Sequence, residues 1–154
     1  MNIAYVNGKY FPIEDAKVSI RDRGLMFADG VYEVAAIING KLIDNFEHLK
    51  RLQRSLNEIK LSSPVPISEI PIIEKELLAK NKINEGTLYL HITRGESDRE
   101  FSFPDIVKPS LVMFVQSKNL IHLEPDDLGA IVITVPDVRW KRRDIKSIAL
   151  IAQV

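Results

Sequence analysis

The sequence predicts an α+β fold, in which a small N-terminal domain of hairpins and mixed sheet with two helices precedes the first strands of a truncated C-terminal domain. Asn-Gly pairs between strand-like segments indicate tight hairpin turns, because both residues tolerate positive φ angles. Apolar residues at spacings of three and four indicate an amphipathic helix. Later segments rich in β-branched and aromatic residues indicate further strands.

Two hairpins are predicted near the N-terminus, each centred on an Asn-Gly turn. Their strands and turns are, in order, residues 3–6, Asn7-Gly8, residues 9–11, residues 31–38, Asn39-Gly40 and residues 41–44. Residues 22–30 lie between the hairpins and contain two glycines with charges of both signs. We therefore predict a loop for that segment.

Two helices are predicted after the hairpins. The first covers residues 46–60, where one apolar stripe consists of Phe46, Leu49, Leu52, Leu56 and Ile59. The second covers roughly residues 69–80, because Pro71 is tolerated in a first helical turn and Ser68 can cap the helix.

The remaining segments predict how the chain divides into domains. Strands are expected at residues 87–93, 110–116 and 130–135. A polar stretch with a proline separates the last of these from the others and is the best candidate for a linker. The predicted division is an N-terminal domain at residues 1–118, a linker at 119–128 and the start of a truncated C-terminal domain at 129–154.

Composition excludes several classes of function. Lys plus Arg and Asp plus Glu each number 21 among 154 residues, so no overall field favours nucleic acid or an anionic membrane. There is no cysteine, and the three histidines stand apart without metal-ligand spacing, so we expect no metal site. The N-terminus resembles no signal peptide, and no apolar run is long enough to span a bilayer. These features predict a cytoplasmic protein.

A lysine near the end of the chain has the setting of a reactive amine. Lys146 follows Asp144 by two residues and precedes the almost wholly apolar residues 148–154. In a partly desolvated pocket, a lysine loses affinity for its proton and becomes a nucleophile able to form an imine. A solvated basic turn between two elements has the same pattern, and spacing alone leaves both interpretations open.

A second candidate segment lies at residues 22–34. Its glycines allow close approach of the backbone, and Tyr32 opens a strand where its hydroxyl could face a cleft. A structured loop followed by a tyrosine packed in a sheet has the same pattern. Composition and spacing do not separate these interpretations.

Motifs in a fixed order extend the interpretation beyond spacing. They are Asp22-Arg23-Gly24-x-x-Phe27-x-Asp29-Gly30-Val31-Tyr32-Glu33, Glu47-His48-Leu49-x-Arg51-Leu52 and Arg139-Trp140-x-x-x-Asp144-Ile145-Lys146-Ser147. Between the last two motifs lie Thr93-Arg94-Gly95 and residues 99–104, which resemble the corresponding segment of D-amino acid aminotransferases. On these motifs the whole chain resembles the fold-type IV family of pyridoxal-phosphate enzymes, and within it the D-amino acid aminotransferases.

The resemblance implies a cofactor, pyridoxal 5'-phosphate, and roles for four residues. Lys146 matches the lysine that forms the Schiff base with the cofactor and moves the substrate's α-proton. Arg51 matches the arginine that binds the cofactor phosphate, for which a planar cationic fork is well suited. Tyr32 matches a tyrosine that lines the substrate pocket. Arg99 matches an arginine of the substrate-carboxylate site, which comes from the neighbouring subunit of a homodimer. Glu33 and His48 are expected to support other residues.

Two departures from the family pattern bear on function. Phe101 stands where D-amino acid enzymes typically carry a histidine, which removes a polar group from the carboxylate site. Family members are also nearly twice as long, and their second domain carries the acid that pairs with the pyridine nitrogen of the cofactor. The chain by itself is therefore expected to be nearly inactive.

The function implied by the resemblance is transfer of an amino group between a D-amino acid, such as D-alanine, and a 2-oxo acid. Branched-chain aminotransferase and aminodeoxychorismate lyase are alternatives within the family, kept open by Phe101. A non-catalytic dimerising fragment is an alternative from a different class, and a general α+β ligand-binding domain is the last one.

Overall fold

A computed structural model describes residues 2–106, 108–121, 131–134, 136–137 and 141–151 of the chain. Its strands are β1 (Ile3–Val6), β2 (Lys9–Pro12), β3 (Gly30–Ile38), β4 (Lys41–Leu42), β5 (Gly86–Thr93) and β6 (Ser110–Ser117). Its α-helices are α1 (Arg23–Phe27), α2 (Asn45–Glu58) and α3 (Ile70–Asn81), the last directly preceded by a 3₁₀ turn at Ile67–Glu69. The strands form one sheet in the order β2-β1-β6-β5-β3-β4, with every neighbouring pair antiparallel. The predicted α+β class is confirmed.

Both predicted Asn-Gly turns are present. Asn7 and Gly8 have φ angles of 47° and 91°, and Asn39 and Gly40 have φ angles of 52° and 69°. These positive values are those that a tight hairpin turn requires, and they match the right-handed twist of the flanking strands. The second hairpin is shorter than predicted, because β4 ends at Leu42 and the chain turns into α2 through the left-handed residue Asp44.

The two predicted helices are present, with two corrections. Phe46, which we assigned to the apolar stripe of α2, lies in the first turn and is 75% exposed, whereas Leu49, Leu52 and Leu56 are buried. Ser68 does not cap α3, because it lies inside the 3₁₀ turn that continues directly into that helix.

The segment predicted as a loop between the hairpins contains the short helix α1. The Asp22 carboxylate caps it by accepting a hydrogen bond of 2.7 Å from the Gly24 N–H. Ala28, in the left-handed region with φ 53°, ends it. A helix of one turn is too short to show an apolar stripe, which is why periodicity did not indicate it.

The two faces of the sheet differ in what covers them. Helices α2 and α3 pack on one face, and the core there consists of Val31, Ile37, Leu88, Leu90, Ile92, Leu111 and Met113 with Leu52, Leu56, Ile70 and Leu77 from the helical side. Side chains alternate between faces along a strand, so the intervening residues lie on the opposite face. That face carries the partly buried Tyr32, Tyr89, His91 and Phe114. We call it the open face.

The C-terminal part departs from the predicted pattern. Residues 131–134, predicted as strand, form none, and Ile131, Val132 and Ile133 are largely exposed because no neighbouring strand within the described ranges pairs with them. Most of the predicted linker, including Pro125, lies outside the described residues, so the domain division stays a prediction. Among the described helices, none is long and apolar enough to cross a membrane.

Candidate functional site

The segment that contains Lys146 adds to the sheet at the part of β3 that β4 leaves unpaired. The Tyr32 N–H donates to the Lys146 carbonyl oxygen at 2.9 Å, and the Ile148 N–H donates to the Gly30 carbonyl oxygen at 3.1 Å. Ser147 is the antiparallel partner of Val31. The segment is therefore held in place by main-chain hydrogen bonds, which do not depend on its side chains.

Helix α2 holds the same segment from the other side. The Lys146 N–H donates to the hydroxyl of Ser55 at 3.2 Å, and Ser55 is fully buried. The preceding side chain, Ile145, is 6% exposed and belongs to the core. Arg54 donates to the carbonyl oxygen of Asp144. The backbone of Lys146 thus lies between a strand and a helix, and its position does not depend on the contacts of the amine.

Gly30 allows the close approach of three chain segments beside the lysine. A Cβ atom at this position would lie 2.6 Å from the Ile92 carbonyl oxygen and 3.2 Å from the Ile148 side chain. Both distances are shorter than ordinary contacts, so a larger residue would displace β5 or the lysine segment.

The amine of Lys146 lies over the ring of Tyr32. Its Nζ atom is 4.1 Å from the ring centroid, within the range of a cation–π contact. Both side chains are partly buried, and they border a cavity of about 160 Å³ with Ser147 and Ala149. Tyr32 also stacks on Tyr89, with ring centroids 5.8 Å apart. The lysine proposed to react and the tyrosine proposed to line the pocket are therefore neighbours.

Arg51 lies on α2 and is paired with a buried carboxylate. Its Nε and Nη2 atoms donate to the two carboxylate oxygens of Glu33 at 2.7 and 2.6 Å. His48 Nδ1 lies 2.8 Å from the same carboxylate. The hydrogen bond with Glu33 raises the pKa of the Arg51 guanidinium, which keeps it cationic. Glu33 engages Nε and Nη2, so Nη1 stays available as a donor on a side chain that is 42% exposed.

Ser55 lies on α2 between Arg51 and the lysine segment that it binds. The two residues are four positions apart on α2, so they lie on the same face of the helix about one turn, roughly 5.4 Å, from each other. Since Ser55 binds the Lys146 backbone, Arg51 lies about one helical turn from the residue that holds the lysine segment, whereas the Lys146 amine lies over Tyr32 on the open face of the sheet.

Arg99 is not brought to this region. It is exposed, and its guanidinium lies 5.4 Å from the Phe27 ring and 5.8 Å from the Phe101 ring. Phe101 itself is 83% exposed. The loop that carries Arg99 packs against α1 rather than against the lysine segment.

The structure adds a residue to the site that the sequence did not indicate. His91 is the cross-strand partner of Tyr32, and its ring is 5.5 Å from that of Tyr89 on the open face. Burial lowers the pKa of His91, which favours the neutral imidazole. Only the register between β3 and β5 places this histidine beside Tyr32, so a histidine standing alone in the sequence gave no signal.

Among the described residues, no group of acidic or histidine side chains is arranged to hold a metal ion. Arg139 and Trp140, at the start of the third motif, lie outside the described residues.

The chain belongs to the class IV aminotransferase family, because the family model described as Amino-transferase class IV matches residues 30–154. The D-alanine aminotransferase of Staphylococcus aureus (strain N315) is 39% identical over 157 residues, covering 100% of this chain and 55% of that relative. The D-alanine aminotransferase of Listeria monocytogenes serotype 4b (strain F2365) is 39% identical over 151 residues, covering 97% of this chain and 52% of that relative. The chain thus spans about half the length of the curated relatives it matches.

Solved structures share the fold of the described residues. The branched-chain amino acid aminotransferase of Escherichia coli superposes with a TM-score of 0.71 at 19% identity, covering 76% of this chain and 41% of that chain. The 4-amino-4-deoxychorismate lyase of Pseudomonas aeruginosa superposes with a TM-score of 0.60 at 28% identity, covering 75% and 40%. The predicted membership of the family and the predicted N-terminal architecture are both confirmed.

Proposed function

We propose that this chain provides the reactive lysine and the phosphate-binding arginine of a pyridoxal-phosphate enzyme that moves an amino group between a D-amino acid and a 2-oxo acid. D-Alanine is the amino acid that we expect first. The name of the curated relatives, D-alanine aminotransferase, supports this choice at 39% identity over the whole chain. Because the chain spans about half of those relatives, we expect it to be nearly inactive by itself.

The observation that carries the proposal is the position of Lys146. Its backbone is bonded to β3 and to Ser55, while its amine lies 4.1 Å from the Tyr32 ring centroid beside a small cavity. A surface lysine of a solvated turn would have none of these constraints. The arrangement instead presents a single amine at a fixed place, which a covalent cofactor requires.

The residues present fit pyridoxal phosphate in two respects. Lys146 would bind it covalently, and Arg51, whose opposite edge is held by Glu33, would bind its phosphate with the remaining donors. The cofactor, when bound, supplies the electron sink for breaking a bond at the substrate's α-carbon. The acid expected to pair with the pyridine nitrogen is assigned to no described residue.

The chain's own residues then act on the substrate. Lys146 would carry the α-proton, since an amine released from the cofactor is a base beside the reacting carbon. Tyr32 would contribute its hydroxyl to the substrate carboxylate. Arg99 would complete the carboxylate site from a second subunit; in this chain its guanidinium lies against Phe27 of α1, whereas the Lys146 amine lies over Tyr32. We therefore propose a homodimer, and we expect it in the cytoplasm.

Two activities of the same family remain candidates. The fold is shared with branched-chain aminotransferase, and aminodeoxychorismate lyase shares both fold and 28% identity. Paired D- and L-amino acids, tested on the longer protein, separate the first from the proposed activity. Release of pyruvate from aminodeoxychorismate would identify the second. A non-catalytic dimerising fragment would show self-association without cofactor binding.

The proposal can be tested by labelling the lysine. The purified chain is mixed with pyridoxal phosphate and reduced with borohydride, and the added mass is located by peptide mass spectrometry. We expect the pyridoxyl label on Lys146. Lys141, exposed and five residues earlier, provides the matched control: Lys141→Ala should keep the label, and Lys146→Ala should lose it. Label spread over many lysines, or absent from Lys146, would overturn the assignment.

A further inference from the structure

Arg23 is a buried arginine for which the proposed function has no role. Its side chain is 4% exposed and lies within α1, below the loop at residues 99–103. Its Nη1 atom donates to the carbonyl oxygens of Glu100 at 2.7 Å and Ser102 at 3.3 Å. These two carbonyls lie on either side of Phe101, so Arg23 binds the backbone of the loop directly after Arg99.

Asp29 fixes the other end of the Arg23 guanidinium. One oxygen of its carboxylate accepts from Arg23 Nε and from Arg94 Nε, each at 2.8 Å. The Arg94 side chain is 2% exposed and that of Asp29 is 10% exposed. Two buried cations thus share one buried anion. The remaining donors of both arginines must be satisfied by other groups, since a buried cationic donor without a partner is strongly unfavourable.

Arg94 finds its remaining partners at the end of α2. Its Nη2 and Nη1 atoms donate to the carbonyl oxygens of Ile59 at 2.9 Å and Lys60 at 3.3 Å. The last carbonyls of a helix lack partners inside the helix and carry the negative end of its dipole, so a buried guanidinium is favourable there. The helix with Arg51 and the loop with Arg99 are therefore joined through Arg94, Asp29 and Arg23.

Aromatic rings pack on the two guanidinium groups of the same network. Phe103 lies 4.0 Å from the Arg94 guanidinium carbon, and Phe27 lies 4.7 Å from that of Arg23. The Phe27 ring also contacts Arg99. If the loop moved away, Arg23 would lose two carbonyl acceptors, and both guanidinium groups would lose their contact with Phe103, whose ring centroid lies 5.8 Å from the Arg23 guanidinium carbon. The position of the loop is thus fixed by buried charge, although the loop itself is exposed.

We infer that Arg23 is a positioning residue for Arg99: it holds the loop that carries Arg99 at a fixed place relative to α2, through the Asp29 carboxylate that it shares with Arg94. The consequence for substrate binding rests on the proposed function, in which Arg99 binds a carboxylate. The hold on the loop does not depend on that function, because every contact lies within the described part of this chain.

Trypsin tests the hold, because a protease must draw the backbone around Arg99 into an extended conformation, and Arg23 binds the Glu100 and Ser102 carbonyls of that backbone. In the chain with Arg23→Gln, we expect cleavage of the Arg99–Glu100 bond to accelerate about tenfold or more, since a charged donor and both loop carbonyls lose their partner. Cleavage after Arg51, inside α2, reports global unfolding and should change much less. Both rates come from the same digestion, followed by mass spectrometry.

Arg21 offers a matched control. It is also an arginine bonded to this region, through Asp98 at 2.7 Å, but its side chain is 54% exposed. Arg21→Gln should change the Arg99 cut by less than about twofold, because an exposed pair contributes little. Arg23→Lys keeps a cation near Asp29 but cannot reach both carbonyls, so we expect an intermediate rate. This variant also keeps the test decisive if Arg23→Gln does not fold.

The inference is overturned if the two cuts accelerate equally in both Arg23 variants, or if Arg21→Gln matches Arg23→Gln. Labelling of Lys146 by pyridoxal phosphate measures a different event. If the unchanged chain takes no label on Lys146 but Arg23→Gln still accelerates the Arg99 cut selectively, the proposed function is rejected and the role of Arg23 in holding the loop is kept. If Lys146 is labelled but the Arg99 cut is not selectively accelerated, the role of Arg23 is rejected and the proposed function is kept.

Discussion

Glu33 holds Arg51 through both of its carboxylate oxygens, at 2.7 Å from Nε and 2.6 Å from Nη2, while Arg51 remains 42% exposed. The carboxylate is buried on the helix-covered side of β3, with a side-chain exposure of 5%. One residue along the strand, Tyr32 projects to the open face. Consecutive residues of β3 therefore serve the proposed phosphate arginine and the proposed substrate pocket from opposite sides of the sheet.

Glu33→Gln should weaken this pair. Glutamine keeps one oxygen acceptor but loses the charge and one of the two bonds to Arg51. We expect the free energy of unfolding to fall by about 1–3 kcal/mol, toward the lower end because Arg51 is partly solvated. Urea denaturation measures the change.

Glu47→Gln is the control for that variant. Glu47 lies on α2 and pairs only loosely with Lys50 at 3.8 Å, with both side chains mostly exposed. The change in unfolding free energy should stay within about 0.5 kcal/mol. Equal losses of unfolding free energy for Glu33→Gln and Glu47→Gln would show that the bidentate Glu33–Arg51 pair contributes no more to stability than an exposed pair does.

Ser55→Ala should loosen the lysine segment. The variant removes the buried hydroxyl that accepts from the Lys146 N–H, and the alanine methyl cannot replace it. We expect a loss of about 0.5–1.5 kcal/mol in unfolding free energy and faster hydrogen exchange at the Lys146 amide.

Ser62→Ala, at an exposed position, should change neither quantity. If the Lys146 amide exchanges at the same rate in Ser55→Ala as in the unchanged chain, the hydroxyl does not hold the segment.

His91 should make stability depend on pH. Burial lowers its pKa below the ordinary value of 6.5, with the Asp22 charge acting weakly in the opposite direction. The unfolded chain therefore binds a proton more readily as the pH falls through that ordinary value. Stability should decrease on acidification, and only well above the ordinary value, where His91 is neutral in both the folded and the unfolded chain, should the group contribute no slope.

The comparison of the unchanged chain with His91→Gln isolates this effect. The variant should lose less unfolding free energy than the unchanged chain between about pH 7.5 and about pH 5.5. Burial raises the pKa of Glu74, so its contribution to the unfolding free energy decreases as the pH rises above the ordinary carboxyl range. Glu74 is present in both chains, so this contribution cancels in the comparison. Parallel pH profiles would contradict the buried neutral imidazole.

Local chemistry in the sequence was sufficient for the turns and most of the core. Asn7-Gly8 and Asn39-Gly40 required positive φ angles and have them. The stripe of α2 was correct at Leu49, Leu52 and Leu56, since periodicity states which face is apolar, whereas the last predicted member, Ile59, is partly buried and follows the end of the helix. The prediction that Phe46 belongs to the buried stripe was wrong, because periodicity does not state where a helix extends beyond the sheet that covers it.

The relationships across the site needed the register of the sheet. His91 lies beside Tyr32 only because β5 pairs with β3 in one particular alignment, and a shift by one residue would place it in the core. Arg23 and Arg94 are far apart in sequence, and their shared use of Asp29 is a tertiary contact without a sequence pattern. The proposed roles of Lys146 and Arg51 came from resemblance and stay predictions.

The shortness of β4 has a consequence for solubility. Because β4 ends at Leu42, the Gly30 carbonyl and the Tyr32 N–H would be unpaired without residues 146–148. Unpaired main-chain groups on a strand at the rim of a sheet attract strands of other molecules and promote aggregation. The segment that presents the lysine therefore also protects the rim of β3, and a chain shortened before residue 145 is expected to aggregate.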